Sequence, residues 1–236
     1  EVIAVDGKTL RRSHDRKARK APLHMVSAFA CSNGVVLGQE RSEAKSNEIT
    51  AIPALLKLLA LKGCIVTIDA MGCQKAIAKQ IRQGKGDYVL AVKDNQRSLH
   101  EAIVDWFDSA QAHGLKYAPH EYYEQTDKGH GRIEVRRYWV SEDLSGLPAP
   151  ERWAGLRSIG MAENEIHQGD KRTIERRYFI TTLAANAQQF AHAVRNHWGI
   201  ENRLHWVLDM SFREDEWRIR RGDGAEILKN LALQGR

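Results

Sequence analysis

Short runs of β-branched residues alternate with helical spacings along the first half of the chain. "VIAV" (2–5) is continuously apolar, which predicts a buried strand ending at Asp6. "PLHMVSAFACSNGVVLGQERS" reads as a hairpin around Asn33-Gly34, a pair suited to the positive-φ positions of a type I′ turn. "SNEITAIPALLKLLALKG" predicts an amphipathic helix with Ser46 as N-cap and Gly63 as its stop. "CIVTID" (64–69) is a second buried strand, and it too ends on an aspartate. "CQKAIAKQIRQGKG" predicts a helix, "DYVLAV" (87–92) a third strand and "QRSLHEAIVDWFDSAQ" another helix. From about Tyr117 to Thr182 the alternation returns with glycine-bearing turns. "EYYEQTDKGHGRIEVRRYWV" and "SIGMAENEIHQGDKRTIERRYFITTL" predict two hairpins. Asn186 then caps a long helix, with Gln189 three residues on as in a capping box.

The order is βββ-α-β-α-β-α, a β-rich insert, then a helix. It predicts an α/β fold, a mixed sheet with helices on its faces. Three segments follow: 1–116 as the first part of the core, 117–183 as a β-rich insertion, and 184–236 as a C-terminal helical part. A right-handed crossover returns the strand after the first helix beside strand one and parallel to it. Asp6 and Asp69 then occupy neighbouring carboxyl ends, where open α/β sheets keep their sites.

"HWGIENRLHW" (197–206) supplies a third acid. At 100° per residue, Glu201 falls within about 60° of Phe190, Val194, His197, Trp198, Leu204, His205 and Leu208. A carboxylate on that apolar stripe is expected to be buried, at a cost that a partner must offset. Two strand-end aspartates and this glutamate form an all-oxygen set suited to Mg²⁺, or Mn²⁺ in its place. Two such ions about 3.5–4 Å apart can activate an attacking oxygen and stabilise a leaving one in phosphoryl transfer. Plainer accounts stay open: strand-end aspartates form turns and caps, and Glu201 can pair with His197 or His205. Zinc is disfavoured, because there is no HExxH motif and no cysteine pair.

Composition narrows the partners. A net charge of +6 and a pI near 9.3 favour a polyanion. With 42% hydrophobic residues in 236, a sizeable core is available. Three cysteines without a CxxC pair, and no secretory segment, fit a reducing cytoplasm. No apolar run has the length of a membrane span. The chain opens on Glu1 and stops at "NLALQGR" inside a helical pattern, as expected of a piece of a longer protein. Candidate phosphate contacts are Lys8 and Lys93 on the sheet rim, and Arg11 and Arg12 in the basic loop after Asp6. His130 and Arg132 in "GHGRIEVRR" join them. A solvated loop and an exposed Arg/Glu ladder are the bland readings of the loop and the hairpin.

"VIAVDGKTLR", "TIDAMGCQKAIAKQI", "DYVLAVKDNQ", "GHGRIEVRR", "RYFITTL" and "RNHWGIENRLHWVLD" with "SFRED" resemble, in order, the DDE transposases of the ISAs insertion-sequence group, the H-repeat-associated proteins. The resemblance implies a ribonuclease H-like fold with a β-rich insertion before the glutamate. It also implies a Mg²⁺-dependent triad of Asp6, Asp69 and Glu201, and hydrolytic nicking followed by strand transfer. Double-stranded DNA, as transposon ends and target, is the implied partner, bound by a homodimer. The wider group's Tyr-Arg-Glu-Lys signature is broken here: Val194, His197 and Leu208 stand at the Tyr, Arg and Lys positions. His197 and His205 are the candidates to replace part of it as phosphate contacts. Another ribonuclease H-like nuclease, and an inactive or truncated remnant that only binds DNA, are the alternatives.

Overall fold

The computed structural model describes residues 1–10, 12–14, 22–42, 48–129, 131–219 and 224–234. Strand β1 (Val2–Thr9) is followed by β2 (His24–Ala30) and β3 (Val35–Ser42), helix α1 (Glu48–Lys57), β4 (Ile65–Ile68), α2 (Lys75–Gln83), β5 (Asp87–Val92) and α3 (Arg97–Ala112). Four long strands come next: β6 (Glu121–Gly129), β7 (Arg132–Ser141), β8 (Ser158–Gln168) and β9 (Lys171–Thr181). Helix α4 (Ala187–Ile200) passes through a π-helical turn, Glu201–His205, into α5 (Trp206–Met210), and α6 (Gly224–Gln234) ends the described chain. None of these helices is long and apolar enough to cross a membrane.

All nine strands join one mixed sheet in the order β3-β2-β1-β4-β5-β9-β8-β7-β6. The pairs β1–β4 and β4–β5 are parallel and the others antiparallel. The four strands after α3 therefore continue the first sheet, with β9 bonded directly to β5. Strand alternation sends Ile3 and Val5 to one face, where they pack with Ile52, Leu55, Ile77 and Ile81 of α1 and α2. Val2 and Ala4 point to the other face, against Ile200, Leu204 and Leu208. Burying the last two, each 0% exposed, is worth about 1.5–3 kcal/mol per side chain and anchors the π-turn on β1 and β2. Farther along, Phe190, Ala193 and Val194 of α4 pack on Val89, Tyr138 and Phe179.

Local expectations needed three corrections. Strand β1 does not stop at Asp6, because β2 continues to pair with it as far as Thr9. The β2–β3 connection is not a type I′ turn: only Gly34 has a positive φ (67°), and its N–H donates to Ala30 O across a longer loop. Helix α1 stops at Lys57, before Gly63, because Leu58 and Leu59 donate three residues back, to Leu55 and Leu56, and tighten the last turn. Ser46 lies outside the described residues. Asn186 does cap α4, accepting from the Gln189 N–H at 2.8 Å.

Candidate active site

Parallel pairing of β1 with β4 ends at Val5 and Ile68. The next residues on the two strands, Asp6 and Asp69, consequently stand side by side at the carboxyl edge of β4. Asp6 lies in the same alternation as Ala4, so it is directed to the α4 side. Asp69 begins a short 3₁₀ turn, Ala70–Gly72, and its Oδ1 accepts from Met71 N–H at 3.1 Å. It thus performs the capping role that an isolated strand-end aspartate is expected to have. Together with Lys93, Arg177, His197 and Glu201, the two aspartates line a cleft of about 220 Å³.

Crowded carboxylates leave a clear electrostatic mark. Burial pushes the Asp6 carboxyl up to about 7, and the charges of Asp69, Glu201 and Glu48 push the same way, against a bond from Gly7 N–H. Asp69 is raised too, by burial first and then by Glu48, while Lys93 pulls it down. Glu201 does not meet the expectation of a buried acid: it is exposed. Val194, His197, Trp198 and Glu201 do share a helix face, but that face fronts the cleft. The core-facing stripe passes instead to Ile200, Leu204 and Leu208, and the helix widens to a π-turn beginning at Glu201. Among the described residues, no three His, Cys, Asp or Glu side chains form a group able to hold a metal ion. Asp6, Asp69 and Glu201 share one cleft without closing into a coordination shell.

Residues 1–232 match the family model described as "Transposase DDE domain". The chain belongs to this transposase DDE domain family. It is 47% identical over 235 residues to "Putative transposase YncI" of Escherichia coli O157:H7, covering 98% of this chain and 60% of that protein. It is 42% identical over 236 residues to "H repeat-associated putative transposase YhhI" of Escherichia coli strain K12, covering 98% and 62%. The chain thus spans about three fifths of the length of these relatives. A piggyBac transposase synaptic complex with hairpin DNA is similar at a TM-score of 0.45 and 10% identity, over 88% of this chain and 40% of that one.

Within this DDE domain, the expected cationic and histidine contacts are not all at the cleft. Lys93 is there, exposed on its rim. Lys8 is not: its ammonium is turned inward, bonded to Asp209 and 2.6 Å from Glu214 Oε2, with its side chain only 11% exposed. Strand alternation places Lys8 on the α5 side, where acids of the C-terminal part meet it. His205 lies behind Asp6, its Nδ1 3.5 Å from Asp6 Oδ2, and is absent from the cleft lining. Burial drives its imidazole down to about 3, helped by Lys229 and Lys8. His197 lines the cleft and meets Thr67 Oγ1 at 3.0 Å, and burial, then Arg177, pushes it down to about 4. Both histidines are neutral at pH 7, so neither brings positive charge to a phosphate. Arg12 is exposed, while Arg11 and His130 lie outside the described residues. Arg132 belongs to a separate open hollow at the β6–β7 tip, with Lys128, Ile133 and His167.

Two features of the DDE domain site were not anticipated. Glu48, at the start of α1, is buried with an oxygen 2.6 Å from His24 Nε2, and His24 Nδ1 meets Thr9 Oγ1 at 2.8 Å. This pair fills the space over Gly7, where an added Cβ would come within 2.5 Å of both side chains. The glycine after Asp6 in "VDGKT" was the available signal, since a strand-interior glycine marks a close approach. Arg177, the other, sits in "ERRYFITT" among several arginines with nothing local to distinguish it.

Proposed function

We propose that this chain is the catalytic core of a DDE transposase with a ribonuclease H-like fold, which nicks DNA and joins the freed 3′ end to a target. Segments 1–116 and 184–236 make up that core, and 117–183 is the insertion that extends its sheet. The observation that carries the reading is the meeting of Asp6, Asp69 and Glu201, from residues far apart in sequence, at a cleft whose remaining polar lining includes Lys93 and Arg177. Such an all-oxygen donor set, with the Asp6 and Asp69 carboxyls raised, suits a hard divalent cation. Asp6, Asp69 and Glu201 would hold two Mg²⁺ ions, or Mn²⁺ in their place. Bound there, the ions supply Lewis-acid stabilisation of the attacking and leaving oxygens.

The chain's own part is to position and to neutralise. Asp6 and Asp69 are held at adjacent strand positions, so their spacing is set by the sheet. Glu201 enters from the π-turn, whose anchoring leucines bear on β1 and β2. Lys93 offers a cation to the DNA backbone at the rim, and Arg12 and Arg132 offer others outside the cleft. Arg11 and His130 belong to the same proposed DNA surface by sequence. Two copies would act on paired transposon ends.

The test is Mn²⁺-supported nicking of supercoiled plasmid DNA, followed by joining of a pre-cleaved duplex end. Asp6→Asn, Asp69→Asn and Glu201→Gln should each abolish both steps while the proteins stay folded by circular dichroism. Retained nicking by any one variant removes that residue from the triad. Cutting without joining by the unsubstituted chain would make it a nuclease, and DNA binding with no cutting would make it a remnant.

A further inference from the structure

Besides its three carboxylates the cleft is lined by two cations, Lys93 and Arg177, and the second of these lies outside the acidic triad and its helix. Arg177 stands on β9, in register with Ala162 of β8, just before the stretch Tyr178–Thr181 that pairs with β5. A strand bonded on both sides around this point gives the residue a rigid base. Its guanidinium carbon lies 4.8 Å from the centre of the Trp198 ring, and Arg195 approaches the same ring at 5.7 Å. Trp198 is three residues before Glu201, so the stack ties the arginine to the helix face that carries the glutamate. Arg177 Nε donates to the exposed Glu175 at 2.9 Å. Among the described residues, its two Nη groups have no protein acceptor. A guanidinium seated over the ring with only its Nε engaged keeps its Nη groups for a fork, the geometry that suits two phosphate oxygens. His197 stands on the same helix one residue before Trp198, and it is neutral. Helix α4 therefore brings no cation of its own to the cleft, since Arg195 is not among the lining residues.

The geometry points to Arg177 as a phosphate-binding residue of the cleft, its guanidinium held on Trp198 to grip the non-bridging oxygens of a DNA phosphodiester in the cleft that Asp6, Asp69 and Glu201 line. This rests on the reading of the cleft as a DNA-cleaving site. The residue supplies from the sheet the positive charge that the glutamate-bearing helix lacks. Trp198 acts as its positioning residue.

The experiment measures kcat/KM for Mn²⁺-supported nicking of supercoiled plasmid against salt concentration, for the unsubstituted chain and for Arg177→Gln, Arg177→Lys and Trp198→Leu. Removing one charge-assisted phosphate contact should lower kcat/KM by about 10- to 100-fold. The slope of log kcat/KM against log salt should become shallower by about one. Arg177→Lys should regain the slope but only part of the rate, since an ammonium keeps the charge and loses the fork. Trp198→Leu should keep the slope and lose rate through misplacement. Arg177→Met, which retains apolar packing on the ring, replaces the glutamine variant if thermal unfolding shows the latter to be unfolded. An active parent chain with a glutamine or methionine variant within threefold of it and an unchanged slope overturns the role of Arg177 alone. A parent chain that does not nick at all overturns the function itself, and Arg177 with it.

Discussion

Asp6→Asn should stabilise the metal-free protein, and the gain should grow with pH. Burial and three neighbouring carboxylates lift the Asp6 carboxyl from 3.8 to about 7. The native state therefore keeps a proton that the unfolded chain releases near pH 4. Stability is fully present below that point and is lost as pH rises from about 4 through 7. At about 1.4 kcal/mol per pH unit, the gap corresponds to on the order of 4 kcal/mol by pH 8. Asparagine keeps the shape without the charge, so it should recover most of that amount. For a chain of this length each kcal/mol moves Tm by about 2–4 °C, which makes the expected gain roughly 10 °C. His197 and His205 work in the opposite direction. Their values of about 4 and about 3, below the usual 6.5, mean that stability is lost as pH falls below 6.5. Both are present in the variant, so the difference between the two proteins at each pH isolates the carboxylate. The assay is thermal unfolding in EDTA from pH 4.5 to 8, repeated with Mn²⁺. Mn²⁺ should raise Tm of the unsubstituted protein and do little for Asp6→Asn. A stability difference that stays flat across the pH range would refute the account of strained carboxylates.

Two further predictions concern the scaffold around the site. At Gly160 an added Cβ would lie 2.5–2.9 Å from the ring of Phe190, which is 0% exposed and backs helix α4. Gly160→Ala should cost about 1–3 kcal/mol through overpacking, and Phe190→Leu in the same chain should restore part of it, read by urea unfolding. Glu214 is buried between Lys8, at 2.6 Å, and Lys229, at 3.7 Å, the latter with no exposed surface and an ammonium pushed down to about 8 by burial. Glu214→Gln leaves two cations facing each other and should cost about 3–5 kcal/mol, whereas Lys229→Met leaves Glu214 paired with Lys8 and should cost distinctly less. Equal losses from the two would show that Lys8 does not hold Glu214.

What was legible in the sequence depended on near neighbours. The strands around "VIAV", "CIVTID" and "DYVLAV", the two long hairpins and the Asn186 cap all follow from alternation, turn chemistry or a side chain three residues from its partner. Even the adjacency of β1 and β4 follows from the handedness of a single crossover. The end of that reach shows at Glu201. Periodicity assigned it correctly to the face of Val194, His197 and Trp198. It could not tell that this face fronts a cleft rather than a core, because that depends on which residues of β5 and β9 the fold brings to it.

Ion pairing escaped for a similar reason. Lys8, two residues past Asp6, reads locally as a free cation on the sheet rim. Its actual partners, Asp209 and Glu214, lie some two hundred residues away and meet it only because α5 and the turn after it fold back over β1. The pair of His24 and Glu48 over Gly7 and the stacking of Arg177 on Trp198 are likewise made between elements distant in the chain. Sequence by itself determined the order of elements, the α/β class and the three acids worth watching, since these rest on local periodicity and on residue chemistry. Tertiary structure alone decided which charges face the cleft and which are consumed internally. Coulomb attraction acts through space, and its outcome belongs to whichever opposite charge the packing brings within a few ångströms.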